Sequence, residues 1–327
     1  MAMQFKKFSF VLRVGFCLAG FFLSWWIVLP ASTAFWLPLS IGAPEVSVWL
    51  MGINAISLLL CLFSKRTLLS VVLIGCSTLG LLLSSHPLMQ LSTTVRTAEA
   101  AMQSLGPEYL STIPAAQQNQ FRTRPFIFFD ALRGIPQPKV RQLSNIAFAQ
   151  PEGVPLSMEI YQPPQPGRYP GIVTIYGGAW RRGEPTANRN FNRYIAAQGY
   201  VVWAIDYRHA PQHRFPSQLE DVQAALDFIQ SHGAEYETDP QQLVMVGRSA
   251  GAHLAMLAAY ATPQPQIRGV VNYYGPVDLA TGYDNPPDPD PIDTRSVLED
   301  FLGSLPSERP DLYRRASPLT YVAEGLP

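Results

Sequence analysis

Charge is distributed so unevenly along this chain that the distribution limits the fold before any motif does. Before Arg96 the only charged side chains are Lys6, Lys7, Arg13, Glu45, Lys65 and Arg66, with His86 as the one histidine. Three long apolar stretches are left between them. Val14 to Leu29 is apolar apart from Ser24, and Val46 to Phe63 and Thr67 to Leu83 are of similar length; each is close to the roughly 20 residues that a membrane-spanning helix needs. Arg13 can snorkel, which lets Phe8 to Leu12 extend the first stretch. Three transmembrane helices are therefore expected within residues 1–86. Basic residues lie before the first helix and between the second and third, and Ala31 to Glu45 has none. Short basic loops stay cytoplasmic, so the amino terminus is expected inside and everything after the third helix outside. The competing reading of the first stretch is a signal peptide cut near Ser32-Thr33-Ala34, although its apolar core is longer than the usual stretch of about 7–15 residues.

At 327 residues the chain is long for one domain, and Lys+Arg 24 against Asp+Glu 24 leaves no net charge. Nucleic acid is not an expected partner, because such binders usually carry a basic excess. Cys17, Cys61 and Cys76 all lie inside the apolar stretches, so no disulfide and no cysteine-based metal site is expected in the exported part.

Residues 87–138 read as a linker. Leu88, Leu91, Val95, Met102 and Leu105 form one apolar stripe at helical spacing, ended by Gly106 and Pro107. Such a helix could lie on membrane lipid, pair with a second copy as a homodimer, or serve as a spacer. Ala115 to Gln120 reads as polar linker. The aromatic run from Pro125 to Phe129 could sit at the lipid interface or over an active-site mouth.

From residue 139 to 327 strands and helices alternate. Ile172–Ile175, Tyr200–Ile205, Leu243–Val246 and Val270–Tyr273 are short β-branched or aromatic runs without strict alternation, as strands buried on both faces of a parallel sheet should be. Leu156–Tyr161 does alternate, and an antiparallel strand at the sheet edge is expected there. Ser217 with Glu220 three residues later reads as a capping box opening a helix whose apolar face carries Leu219, Val222, Leu226 and Ile229. Asn285 to Asp293 is a proline-rich acidic loop or lid element. The expected class is α/β, preceded by an all-α membrane region.

The chemistry concentrates at two glycine-rich turns. Gly247-Arg248-Ser249-Ala250-Gly251 follows an expected strand and opens an expected helix, the context in which G-x-S-x-G marks a serine on a strained corner. Side chains at the two glycines would strike the adjoining strand and helix. The amide of Ala250 at the helix start would face a developing oxyanion. The alternative is a serine that merely caps the helix. Tyr176-Gly177-Gly178-Ala179-Trp180 follows another strand and would bring bare amides to the same place; the alternative there is a tight loop and nothing more. No clustered His and Asp residues suggest a metal, and Gly177-Gly178 lacks the further glycines of a nucleotide loop, so neither a metal nor a cofactor is expected.

Together with Asp206–Pro216 and Glu220-Asp221-Val222, these turns resemble the α/β-hydrolase superfamily, in particular hormone-sensitive-lipase-like and BD-FAE-like carboxylesterases. The resemblance implies an α/β-hydrolase sheet with flanking helices, Ser249 as nucleophile, and an oxyanion hole made by Gly177, Gly178 and Ala250, with Ala179 as an alternative donor. The implied partner is a small-molecule or lipid ester, and the implied activity is ester cleavage at a membrane-anchored, extracytoplasmic domain; an acyltransferase or peptidase on the same fold is the enzymatic alternative. Tyr176 departs from the family, where histidine is usual. Ser317–Val322 resembles the segment ahead of the strand leading to the family's catalytic acid, so the resemblance places the triad Asp and His beyond Pro327. A fragment with missing carboxy-terminal strands, an apolar sheet edge near Val270 to Tyr273 and inefficient ester hydrolysis is expected, or else a noncatalytic protein that uses the domain for binding. His209 and His213 follow a strand end on the side of Ser249 and are minor candidates for a local base; His253, four residues after the serine, reads as a packed core residue. Asp206, Asp221 and Asp278 read as structural partners.

Overall fold

The computed structural model describes residues 2–106, 111, 113, 115–118, 122, 124–136, 139–262, 264 and 266–327. Contacts divide the chain into two compact units, Met1–Pro136 with Asp288–Ile292, and Gln137–Pro287 with Asp293–Pro327.

The first unit is helical: α1 (Ala2–Trp25), α2 (Leu37–Glu45), α3 (Ser47–Leu62) and α4 (Leu68–Met102), followed by two short turns, α5 (Ala115–Gln118) and α6 (Phe128–Arg133). Among the described residues only α4 is by itself long and apolar enough to cross a bilayer; α2 and α3 qualify as a pair, bent by 81° at Val46. One such helix and one bent pair thus stand where three straight spans are expected. The apolar part of α1 runs from Arg13 to Trp25, and the chain then turns ahead of Pro30, as the restricted residue before a proline favours. The expected loop at Ala31 to Glu45 instead contains α2. The third stretch and the amphipathic linker helix are one continuous helix through Pro87, ended beyond Met102 by Gly106 at φ +107°. Pro125 lies outside any helix, and the polar linker contributes the single turn α5; Asn119, Gln120 and Pro107 fall outside the described residues.

This unit buries small and polar side chains. Asn54 is fully buried on α3 and donates to Ser24 Oγ at 2.8 Å and to Leu50 O at 2.9 Å. Cys17 Sγ lies 3.2 Å from Leu73 O and 3.2 Å from Ser77 Oγ. A Cβ on Gly80 would come within 2.4 Å of Asn54 Oδ1, so glycine there lets α4 close on α3.

The second unit is a six-stranded sheet, β1 (Arg141–Ala149), β2 (Leu156–Gln162), β3 (Tyr169–Ile175), β4 (Val201–Ile205), β5 (Thr238–Arg248) and β6 (Ile267–Tyr273), in the order β1-β2-β4-β3-β5-β6. β1 and β2 run antiparallel to their neighbours; the other pairings are parallel. The expected parallel strands all form. The edge does not lie where alternation placed it: β1 pairs outside β2, anchored by buried Glu159, which accepts from Ser144 Oγ at 2.7 Å and Gln142 Nε2 at 2.8 Å. β6 is the opposite edge, with Val271 and Tyr273 exposed.

Alternate strand residues face opposite helical layers. Val173, Ile175, Trp203, Ile205 and Met245 pack with α8 (Ser217–His232) and α9 (Ala250–Tyr260). Ile172, Val202, Ala204 and Val246 pack toward α7 (Arg189–Ala197). Pro216, and not Ser217, occupies the cap of α8, and no side chain caps it. Glu220 reaches 3.5 Å to the buried Arg208 guanidinium instead of folding back on the helix start. Beyond β6 come α10 (Leu279–Asp284), α11 (Thr294–Leu302) and α12 (Pro310–Arg315), with Asn285 to Asp293 forming the expected connection outside regular structure.

Candidate active site

β5 passes into α9 through one residue, Ser249, at φ 52° and ψ −123°. That backbone region is costly for a residue with a Cβ. The glycines flanking it are required by proximity. A Cβ on Gly247 would lie 2.4 Å from Ala252 Cα, and one on Gly251 would lie 2.2 Å from Ile175 O and 2.4 Å from Tyr176 O. Helix α9 can therefore begin against β5 and β3 only with bare backbone at both positions. Ser249 N donates to Tyr273 O at 2.9 Å, and Ser249 O accepts from His253 N at 3.0 Å. The serine side chain makes no capping hydrogen bond and is half-buried, which removes the reading of a helix cap.

The end of β3 delivers the second turn to the same place. A Cβ on Gly177 would come 2.6 Å from Arg248 O and 3.1 Å from Ser249 Cβ, so these two backbones are in direct apposition. Gly178 (φ +148°), Ala179 (φ 54°) and Trp180 (φ 57°) turn the chain in left-handed geometry; Gly178 O closes the turn by accepting from Arg181 N at 3.0 Å. Among the described residues the amides of Gly177, Gly178 and Ala179 donate to no other protein group. Gly177 thus lies against Ser249, Gly178 is the next residue of that turn, and Ala250 follows at the first turn of α9.

Tyr176 supports this turn through a network that sequence reasoning treated as separate residues. Its ring is buried and stacks on Tyr207 at 4.5 Å, and its Oη lies 2.5 Å from Asp206 Oδ1 and 2.9 Å from His209 Nε2. A phenol has one proton. With that proton donated to Asp206, the oxygen accepts from His209 Nε2–H. Burial pushes the Tyr176 phenol far above its ordinary range, with Tyr207 and Asp206 adding to the effect. Burial also raises the Asp206 carboxyl, against the Tyr176 hydrogen bond, and lowers the His209 imidazole, against the Asp206 charge. Tyr207 Oη donates to Tyr176 O at 3.2 Å. The signal available in the sequence was topological: β3 and β4 are parallel neighbours, so the residues just after each strand meet.

The histidines are all engaged elsewhere. His253 is fully buried; Trp180 Nε1 donates to its Nδ1 at 3.2 Å, and its Nε2 lies 2.7 Å from Ala316 O. Burial depresses it to about 4, so the ring is neutral, with its proton on Nε2. His213 Nδ1 meets Glu152 at 3.2 Å, His232 meets Glu235 at 3.0 Å, and His86 meets Gln90 at 3.0 Å. Asp221 holds the buried Arg208 guanidinium at 2.9 Å, and Asp278 caps α10 by accepting from Thr281 N at 3.1 Å. Among the described residues no imidazole or carboxylate is hydrogen-bonded to Ser249 Oγ. No group of three or more His, Cys, Asp or Glu residues is arranged for a metal ion among them either.

Comparison with known proteins bears on the fold and the family. Esterase LipQ of Mycobacterium tuberculosis is 29% identical over 250 residues, covering 70% of this chain and 57% of that protein. Esterase LipC of the same organism is 30% identical over 180 residues, covering 48% and 42%. The chain thus spans about half the length of these relatives. A bifunctional GH43-CE protein of Bacteroides eggerthii superposes with a TM-score of 0.50 at 26% identity, over 57% of this chain and 27% of that one. The BD-FAE family model matches residues 158–327. With a mixed sheet between helical layers and the paired glycine turns at the ends of β3 and β5, the chain belongs to the BD-FAE family of α/β-hydrolase-superfamily esterases.

Proposed function

We propose that this protein is a membrane-anchored serine esterase that forms an acyl-enzyme on Ser249. Ser249 Oγ bonds to the carbonyl carbon of a carboxylic ester, and the carbonyl oxygen, now negative, is received by the amides of Gly177, Gly178 and Ala250. The ester's alcohol departs with a proton, and water then releases the acid. The observation that carries this reading is the apposition of Gly177 and Ser249, with a Cβ-to-Cβ approach of 3.1 Å were Gly177 an alanine. Each amide donor of this kind contributes about 2.7–4 kcal/mol to transition-state stabilisation. The basic residues around Arg13 and Lys65, with the apolar helices between, support an anchor whose amino terminus is cytoplasmic and whose hydrolase unit lies across the membrane.

The serine proton requires an acceptor, and the engagement of all five histidines favours a second reading in which this chain binds esters and turns them over slowly. One experiment separates the two. The full chain is treated with a fluorophosphonate and the modified residue is located by mass spectrometry, with and without added imidazole. The esterase reading expects labelling at Ser249 alone, absent in Ser249→Ala. Labelling and aryl-ester turnover that rise with imidazole, after subtraction of the Ser249→Ala background, would mark a site lacking only its base. No labelling under either condition would leave the binding reading.

A further inference from the structure

At the end of the helical unit where α1 meets the α3–α4 connection, a cavity of about 340 Å³ is lined by Arg13, Lys65, Thr67, Ser70, Phe10 and Leu73, among others. Arg13 and Lys65 form no ion pair among the described residues. Arg13 Nε is buried without a hydrogen-bond partner, and the guanidinium carbon lies 5.6 Å from the Phe10 ring. Glu45 is the sole carboxylate in the first 98 residues.

The start of α4 adds a second source of positive potential. Thr67 Oγ1 accepts from Ser70 N at 3.2 Å and Ser70 Oγ accepts from Thr67 N at 2.7 Å, and the Leu68 and Leu69 amides remain without intrahelical acceptors, as at any helix start. A 35-residue helix thus directs its amino-terminal dipole at a cavity walled by two cations. The apolar neighbours in the chain face outward: Phe63 is 90% and Leu68 84% exposed, on either side of Lys65 and Arg66. A cationic cavity flanked in sequence by outward-facing apolar side chains suits an anion that carries its own hydrocarbon.

We propose that this cavity binds the phosphodiester of an anionic phospholipid, with Arg13 and Lys65 as counter-charges and the Leu68 and Leu69 amides as donors. The proposal rests on the membrane reading of the helical unit, and it makes the basic loop a lipid-reading site as well as an orientation signal.

The test uses the full chain in zwitterionic detergent, titrated with dihexanoyl-phosphatidylglycerol, dihexanoyl-phosphatidylcholine or inorganic phosphate, with native mass spectrometry counting bound molecules. One phosphatidylglycerol should bind in preference to phosphatidylcholine. Arg13→Gln with Lys65→Gln should weaken it about 30-fold, whereas Arg66→Gln, in the same loop but outside the cavity, should change it by less than about threefold. Arg13→Lys should restore part of the loss if geometry is intact, and unchanged helicity by circular dichroism excludes unfolding as the cause. Equal binding of phosphatidylcholine, an equal loss in Arg66→Gln, or inorganic phosphate binding as tightly as phosphatidylglycerol would overturn the proposal. Alkaline carbonate extraction of cell membranes tests the anchor separately: release of the chain would refute the anchor whatever the lipid titration gives.

Discussion

The two units of this protein are built with opposite interiors. The sheet unit buries Trp203, Tyr161, Phe301, Ile175 and Leu226 as its bulk and encloses Glu159, Arg208, Asp221 and His253 in hydrogen-bonded pairs; burial of apolar area of this kind stabilises a fold in water. The helical unit buries Ser24, Asn54, Ser57, Ser77 and Ser84 and turns Ile56, Leu59, Phe63 and Val71 outward. In water that arrangement would forgo most of the hydrophobic driving force. In lipid, where tails are as apolar as leucine, helices associate through small residues and interhelical hydrogen bonds, and the inversion becomes the favourable one. Two rules of burial within one chain are what the proposed membrane anchor requires.

The strongest way to break the comparison is a substitution that only one rule forbids. In the sheet unit, Gly251→Val places a Cβ where Ile175 O would be 2.2 Å away; loss of more than about 4 kcal/mol is expected, read as collapse of the sheet unit's cooperative melt. The helical unit should be unaffected. In that unit, Ile56→Lys changes a side chain already 59% exposed near the middle of α3. The cost should be about 3 kcal/mol if the surroundings are lipid but within about 0.5 kcal/mol if they are water. Membrane insertion of the tagged variant decides between them, and normal insertion would undo the two-solvent reading.

Acid should also act on one unit. His253 titrates near 4 when folded and near 6.5 when unfolded. Because the folded value is the lower one, its neutral form supports the fold fully above about 6.5, and that support is lost as pH falls through the folded value. The sheet unit is expected to lose roughly 3 kcal/mol over that window, and His253→Gln, whose amide can still donate to Ala316 O, should flatten the slope. An unchanged slope in the variant would place the titrating group elsewhere. The smallest effect has the opposite sign: Ser249→Gly relieves φ 52° and should stabilise the sheet unit by about 1 kcal/mol while abolishing fluorophosphonate labelling. A destabilised variant would mean that Ser249 is unstrained.

The site was legible in the sequence to the extent that tertiary crowding leaves glycines behind. Gly247, Gly251 and Gly177 each sit where a Cβ would strike backbone, and such positions announce themselves by residue type alone. The edge of the sheet was less legible. Leu156–Tyr161 alternates like an edge strand, yet β1 covers it, because Arg141–Ala149 is half exposed and too polar to read as a strand without its partner Glu159. The capping box at Ser217 misled because Glu220 had a buried cation, Arg208, within reach. The helix boundaries in the first unit misled because Pro44 and Glu45 mark the start of an apolar stretch without showing that another helix precedes it, bent by 81° from the next.

The sequence by itself determined the alternation of strands and helices, the corner that holds Ser249 and the separation of charged from uncharged chain, since each depends on residues close together. What each histidine touches, and how near the turn after β3 comes to the turn after β5, was decided only by the tertiary structure. Tyr176 meets His209 across 33 residues and Trp180 meets His253 across 73. Strand order sets those distances, and strand order is a property of the packed sheet that no local spacing encodes.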